Sequence, residues 1–412
     1  MRGRAMRIAG ILSGTSLDGI DVAVVHFGMV GTQLRGCIEV ARTMPWPEQT
    51  RGRLVSLLTR PAAELAELAR LHAAVGEAFG EAAAEAIAES HGPVDLICSH
   101  GQNIAHVTDG AVTEATWQLG DPARIHARTG VPVIADVRAA DVASGGAGAP
   151  LAPILDTLLV GGEDAGFLNI GGIANMTRIR HGEVVCGDTG PGNCLLDDAV
   201  RALSDGQESF DRDGVRARVG QVDEELLAYL VADPYFGLPM PRSTGREHFS
   251  LGELGIHVDG QRARWSGGNL SGADLVRTLV ELTARTVADA FGPGSSTPLH
   301  LSGGGADNPV LVERLADLLP GWQLRRTEEL GVDSDHKEAV LFALIGWLGA
   351  HGLPGVVSAP TRSRGGAAIT GAREPAVLGS LTPPDALSQL DTRGMTTPAR
   401  LILRTHVEER DQ

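Results

Sequence analysis

Two glycine turns, each set between short apolar runs and about half the chain apart, constrain this 412-residue sequence more than anything else in it. The first runs Ile8-Ala-Gly-Ile-Leu-Ser-Gly-Thr-Ser-Leu-Asp-Gly-Ile-Asp-Val-Ala-Val-Val25, and the second Gly166-Phe-Leu-Asn-Ile-Gly-Gly-Ile-Ala-Asn-Met-Thr-Arg-Ile179. Both read as β-hairpins with hydroxyl or amide residues at the turn. Aligning Gly14 with Gly171 gives an offset of 157 residues, so the chain reads as two related halves. Glycine lacks a Cβ, which lets backbone N–H groups approach phosphate oxygens. Two such hairpins facing each other across a cleft predict a phosphotransferase that uses a nucleoside triphosphate.

The length exceeds one ordinary core, which predicts two domains. Residues 1–140 read as an N-terminal domain carrying the first hairpin, and residues 141–380 as a C-terminal domain carrying the second. The glycine-rich stretch Ala140–Pro150 reads as the loop where the domain changes, and residues 381–412, with Pro383-Pro384, as a loosely held tail. Ala, Glu and Leu over 62–89 predict a long helix whose apolar face holds Leu65, Leu68, Leu71 and Val75. Val94–Cys98 reads as a buried strand delivering Ser99-His-Gly-Gln-Asn103 at its C-terminal end. Strands alternating with helices imply an α/β protein whose ligands bind at the C-terminal strand ends.

A net charge of −16 with no basic run argues against a nucleic-acid binder. Triphosphate must then be held by local N–H groups and a metal ion rather than by a general positive field. No apolar stretch is long enough to span a bilayer, and the short basic N-terminus lacks a signal-peptide core. Four cysteines without metal-ligand spacing read as reduced thiols of a cytoplasmic protein. Lys337 is the only lysine among the 35 Lys and Arg residues, which draws attention to Asp335-His-Lys-Glu-Ala339.

The candidate site residues follow from residue chemistry. Ser13, Gly14, Thr15, Ser16, Asp18 and Gly19 form the first phosphate turn, and Asp18 is a carboxylate within reach of Mg²⁺ or of a sugar hydroxyl. Asn169, Gly171 and Gly172 form the second turn. Gly303, Gly304 and Gly305, between a strand and a helix start, offer a flat surface to a base and ribose. Three ordered glycines cost backbone entropy, which argues that a ligand needs them. Asp188 in Cys186-Gly-Asp-Thr-Gly-Pro-Gly-Asn193 reads as sitting where a strand ends, ionised at neutral pH and able to act as a base, with Gly190 and Gly192 clearing space. His100 with Gln102, Asp136 with Arg138, Gln118-Leu-Gly-Asp-Pro122 and Arg242–Phe249 mix groups that bind sugar hydroxyls and an acidic substituent. Each motif alone is also the pattern of an ordinary turn, cap or solvated loop.

Together, Ser13–Asp21, Ser99–Gln102, Gly145–Pro153, Asn169–Asn175, Gly187–Asn193, Ser243–Phe249, Ser302–Pro309, Lys337–Ala339 and Thr370–Ala372 resemble the anhydro-N-acetylmuramic acid kinase family of the sugar-kinase/Hsp70/actin superfamily. They run in that family's order over roughly residues 6–380. The resemblance implies two related actin/hexokinase-like (ribonuclease H-like) domains around a central cleft. It implies that ATP, water and 1,6-anhydro-N-acetylmuramic acid give N-acetylmuramic acid 6-phosphate and ADP in peptidoglycan recycling. It places Asp188 as the base that activates water. Gly190, Asn193 and Glu338 fall among the substrate contacts, with Mg²⁺ as the metal and a homodimer as the assembly. The chain departs from the family's pattern at Arg242, where lysine is usual, and at Ser250, where asparagine is usual. The rival readings are another sugar kinase using Asp188 on a sugar hydroxyl, and a non-enzymatic sugar-sensing module.

Overall fold

The computed structural model describes residues 5–59, 62–109, 112–358, 368–386 and 395–405. It forms two compact units, Met1–Gly162 with Glu328–Gln412, and Glu163–Thr327.

In the first unit, β1 (Met6–Ser13), β2 (Ile20–Val30) and β3 (Gln33–Met44) form an antiparallel meander with Ile8 opposite Val25 and Val24 opposite Val40. Strand β4 (Leu96–Asp109) pairs β1 in parallel and turns back into β5 (Val112–Leu119); β6 (Val133–Ala135) lies parallel to β4. One face of this sheet presents Ala9, Ile11, Val22 and Val24 to helices Glu48–Leu58 and Leu65–Glu89, which contribute Leu54, Leu71, Val75 and Phe79. The opposite face is covered by helix Lys337–Ala350, buried on nearly every side, as expected for a helix that is apolar all round. Its approach depends on Gly10, where a Cβ would strike the Ala339 carbonyl and the Ala343 amide.

In the second unit, β7 (Ala165–Ile170), β8 (Ile173–Arg180) and β9 (Glu183–Pro191) repeat the antiparallel meander. A small antiparallel sheet of β10 (His257–Asp259), β11 (Arg262–Trp265) and β12 (Gly268–Ser271) follows. Then β13 (Thr297–Ser302) pairs β7 in parallel and β14 (Trp322–Arg326) pairs β13 in parallel. Helix Gly272–Phe291 buries Leu275, Leu279, Val287 and Phe291 in this unit's core.

The strand order β6-β4-β1-β2-β3 of the first unit is therefore the order β14-β13-β7-β8-β9 of the second, with the same parallel and antiparallel pairings. Each unit is ribonuclease H-like, and Ser13 ends β1 as Ile170 ends β7, so the turns align at Gly14 and Gly171. Among the described residues no helix is long and apolar enough to cross a membrane.

Five expectations are corrected. The boundary does not separate 1–140 from 141–380: residues 141–162 stay with the first unit, and the chain returns to it after Thr327. The stretch 381–412 is not simply a loose tail, because its described part extends the first sheet. There β15 (Ser380–Thr382) pairs β6 and β16 (Arg400–Thr405) pairs β3. These are long-range pairings that local composition cannot reveal. Ser99–Asn103 lies inside β4, not beyond its end, and Ala139–Ala143 within the expected loop is helical. Leu65, placed on the apolar face of the long helix, is exposed at the helix's first turn, while Leu71 and Val75 are buried.

The sole lysine has a structural role. Lys337 Nζ lies 2.6 Å from Asp156 Oδ1, with side chains only 11% and 2% exposed, and so ties the covering helix to helix Ala152–Val160. Removing one partner of a buried pair costs about 3–5 kcal/mol because the other charge is left uncompensated. Lys337→Met should therefore lower the denaturant midpoint sharply, while Lys337→Met with Asp156→Leu recovers most of the loss. Circular dichroism against urea reads both; an unchanged midpoint for the single variant would show that the pair contributes nothing.

Candidate active site

Asp188 is held inside β9, not at its end, three residues before Pro191. Its Oδ2 accepts from the Ser243 hydroxyl at 3.0 Å and from the Thr244 backbone N–H at 2.9 Å. Among the described residues, Oδ1 accepts no hydrogen bond, so one carboxylate oxygen is anchored and the other is open. The main chain at Asp188 is fixed as firmly. Its N–H donates to the Arg242 carbonyl at 2.8 Å, and its carbonyl accepts from Tyr235 Oη at 2.7 Å and Arg242 Nε at 3.1 Å.

The Arg242 guanidinium also donates to the carbonyls of Thr189, Tyr235, Phe236 and Leu238. Its donors are spent on the frame around the aspartate. This close fit needs glycines on both sides: Gly187 and Gly190 have φ of 150° and 147°, and a Cβ on them would meet the Arg242 backbone at 2.9 Å and the Phe236 ring at 2.7 Å. Gly190 is thus packed against Phe236. Burial pushes the Asp188 carboxyl above the usual carboxylate range; the Thr244 N–H, the Ser243 hydroxyl and Arg242 pull it back.

Register places a polar row across four strands. Ser302 lies beside Asn169, Asn169 opposite Asn175, and Asn175 opposite Asp188, so these side chains share one face of the sheet. The row runs from the strand that leads into Gly303–Gly305 to the aspartate itself. At the end of β7, the carbonyls of Gly171 and Gly172 accept from the N–H groups of Asn193, Gly192 and Cys194, which weld the turn to the start of helix Cys194–Leu203. Asn193 Nδ2 donates to the Ile170 carbonyl at 3.2 Å, which puts Asn193 with the second turn and Gly303–Gly305.

The glycines divide into two kinds. On Gly303 a Cβ would meet Asn169 Oδ1 at 2.5 Å and on Gly19 the Met44 carbonyl at 3.1 Å; Gly192 and Gly305 are likewise filled by neighbours. These serve packing. On Gly14 and Gly171 the nearest atom lies 3.6 Å from that position, and on Gly304 it lies 3.9 Å away. The aligned pair of turn glycines is open, as a cradle for a ligand requires.

In the first unit, Ser13 is buried, donates to the Gly19 carbonyl at 2.6 Å and accepts from Trp46 Nε1 at 3.1 Å. Its hydroxyl closes the turn and is not a free phosphate donor. Leu17, at φ 56°, plugs the turn into the core and leaves Thr15, Ser16 and Asp18 exposed. Gln102 is buried beside the turn and donates to the Gly14 carbonyl at 3.4 Å.

His100 Nε2 accepts from Arg138 Nε at 2.8 Å and its Nδ1–H donates to the Gly101 carbonyl at 3.0 Å. Burial, reinforced by Arg138, pushes its pKa down to about 3, so the ring is neutral. Arg138 also donates to the Gly148 carbonyl at 2.8 Å. Asp141 explains two of the motifs: it accepts from Gly148 N at 2.7 Å and from Thr370 Oγ1 at 2.7 Å, so it joins the Gly145–Pro153 and Thr370–Ala372 segments. Asp136, at φ 56°, lines a small cavity with Ser99, His100 and Gln118. Loss of solvation raises the Glu338 carboxyl, and Arg138 opposes that shift.

Sequence reasoning singled out Asp188 and the glycines, but put Asp188 at a strand end and named neither the groups that hold it, Ser243 and Thr244, nor Asn175 of the polar row. Arg246 was also missed. The signal for them was Ser243-Thr-Gly-Arg246, read only as a sugar-facing loop.

A glycine turn repeated in two units of one topology, with an anchored carboxylate in the second, is the arrangement expected of a phosphotransferase of the sugar-kinase kind. A family model described as anhydro-N-acetylmuramic acid kinase matches residues 6–384. The chain is 42% identical over 383 residues to the anhydro-N-acetylmuramic acid kinase of Streptomyces coelicolor, covering 92% of this chain and 94% of that one. It is 41% identical over 383 residues to the enzyme of the same name from Xanthomonas axonopodis, covering 91% and 97%. Among solved structures it is similar to a ROK hexokinase from Thermus thermophilus, with 18% identity, a TM-score of 0.31, and 81% and 98% covered. The chain belongs to the anhydro-N-acetylmuramic acid kinase family.

The Asp188 geometry gives a pH prediction. The Ser243 hydroxyl stabilises the ionised form of the Asp188 carboxyl. Ser243→Ala should raise the Asp188 pKa and move the acid limb of the kcat/KM profile to higher pH. A limb that stays in place or moves to lower pH would show that another group sets it.

Proposed function

We propose that this chain opens the 1,6-anhydro ring of 1,6-anhydro-N-acetylmuramic acid with water and phosphorylates the freed O6 from ATP, with Asp188 as the base. The observation that carries the reading is the division of labour on Asp188: Oδ2 is fixed by two donors while Oδ1 is left to meet water.

In this reading a water proton passes to Asp188 as the water oxygen bonds to C1. The bond from C1 to the bridging oxygen breaks, and its electron pair stays on O6. O6 bonds to the γ-phosphorus as the bond to the β–γ bridging oxygen breaks, and ADP leaves. Inverting glycoside cleavage ordinarily needs a second carboxyl group as acid; here the phosphoryl group takes the departing oxygen. The product, N-acetylmuramic acid 6-phosphate, places the reaction in peptidoglycan recycling.

Within the second unit, Asp188 is the residue we assign to the water, and the open Gly171 and Gly304 are those we assign to the nucleotide. Within the first unit, we assign the open Gly14 turn to phosphate, and His100, Gln102, Arg138, Asp136 and Glu338 to sugar hydroxyls and the acidic substituent. Among the described residues no group of three or more His, Cys, Asp or Glu side chains forms a metal cage. Mg²⁺ in such reactions is held by one or two carboxylates together with substrate phosphates and water. The exposed Asp18 is the carboxylate we assign to it, and the ion's contribution is to neutralise phosphate charge.

General-base removal costs about 10²–10⁴ in rate. Asp188→Asn should lose that much in kcat, measured as ADP release, while ATP still binds; more than a few per cent of turnover would overturn the base assignment. In ¹⁸O-water the label should enter at C1 of the product. An unlabelled anomeric oxygen would favour the rival, a kinase that activates a sugar hydroxyl.

A further inference from the structure

The segment that anchors Asp188 also carries an unused cation. Ser243 and Thr244 bind the carboxylate, and two residues later Arg246 lies over the second glycine turn. A Cβ on Gly172 would sit 2.5 Å from Arg246 Nε and 2.8 Å from Nη2, so the guanidinium occupies the space a side chain at 172 would fill. The carbonyl side of this turn is tied to Gly192, Asn193 and Cys194. Among the described residues the Gly171 and Gly172 N–H groups have no protein acceptor.

Three other arginines of this unit are committed to protein partners. Arg242 is bound to five carbonyls. Arg178 donates to the Ala290 and Phe291 carbonyls. Arg326 is held by Asp307 and the Ala306 carbonyl. Arg246 is exposed and, among the described residues, makes no hydrogen bond or ion pair. The nearby carboxylate Asp197, in the first turn of helix Cys194–Leu203, acts on it only through space. In a chain of net charge −16, an unpaired guanidinium on a glycine turn marks a place where negative charge arrives.

We propose that Arg246 is a catalytic residue that donates hydrogen bonds to the non-bridging oxygens of the phosphoryl group during its transfer to O6. This deepens the reading above and rests on it. As the O6–phosphorus bond forms and the bond to the β–γ bridging oxygen breaks, charge on the equatorial oxygens is met by the planar guanidinium and the turn N–H groups. The short segment 243–246 then fixes both reacting ends, the base through Ser243 and Thr244 and the phosphoryl group through Arg246. Ring opening and phosphorylation are coupled in one rigid piece of chain.

The test uses the full chain with ATP, Mg²⁺ and the anhydro-sugar. Arg246→Ala should lower kcat by about 10²–10³, the loss expected for one donor aimed at developing charge. The sugar KM and the Kd of a non-hydrolysable ATP analogue should change little, because the contact tightens only in the transition state. Binding of ADP with aluminium fluoride, which mimics the transferring group, should weaken in parallel with kcat. Added guanidinium ion should recover part of the lost rate, and Arg246→Lys should fall between wild type and alanine. Arg246 is exposed and unbonded, so the variants should keep the wild-type melting temperature.

A kcat within twofold of wild type, a loss confined to the sugar KM, or weaker ATP-analogue binding with transition-state-mimic binding intact would each overturn the assignment. Wild type is assayed first. If it leaves the anhydro-sugar untouched, the functional reading fails; if it turns over and Arg246→Ala does too, only this inference fails.

Discussion

The site depends on keeping one carboxylate charged in a place that disfavours charge. Burial pushes Asp188 toward its protonated form, and the Thr244 N–H and Ser243 hydroxyl, with Arg242 behind them, restore the balance. The shift cuts both ways. In the base role proposed for Asp188, a carboxylate with little water around it is a stronger base toward the one water it meets, yet one pushed too far would pick up a proton and stop working. The frame from Tyr235 to Arg242 and the glycines at 187 and 190 all serve to hold this compromise in place. Since the native state binds that proton more tightly than the unfolded chain does, Asp188 subtracts stability as pH rises through its folded pKa.

The duplicated topology explains why the two turns are so alike. A meander followed by parallel crossovers brings the first strand of each unit to the sheet centre and ends it at a turn, at Gly14 or Gly171. Those two glycines are open, whereas glycines a few residues away, such as Gly19 and Gly192, are filled by the protein. Identical residues in one motif thus do different work: some leave open space and some let two pieces of backbone touch. Ser13 makes the same point, since a hydroxyl placed as a phosphate donor proves to be a strut between Gly19 and Trp46.

What could be read in the sequence was whatever is written locally. The hairpins and the strand leading into Gly303–Gly305 follow from turn chemistry and short-range periodicity, and each stands where expected. The glycine cluster drew attention to Asp188, but the reading put it at a strand end, whereas it lies inside β9. Long-range pairing was not legible. Nothing local announces that Arg400–Thr405 joins β3, or that the helix at 337 crosses back to cover β1, so the domain boundary fell in the wrong place. The anchors of Asp188 were missed for the same reason: Ser243 lies 55 residues further along the chain and reaches it only through the fold.

The Lys337–Asp156 pair has a chemical corollary. This chain possesses one side-chain amine, and the folded first unit seals it against a carboxylate with 11% of its surface showing. Arginine supplies every other side-chain cation except histidine. Reagents and modifying enzymes that acylate the ε-amino group therefore find no target on the native surface, and acylation of Lys337 becomes a clock for the opening of the Lys337–Ala350 helix.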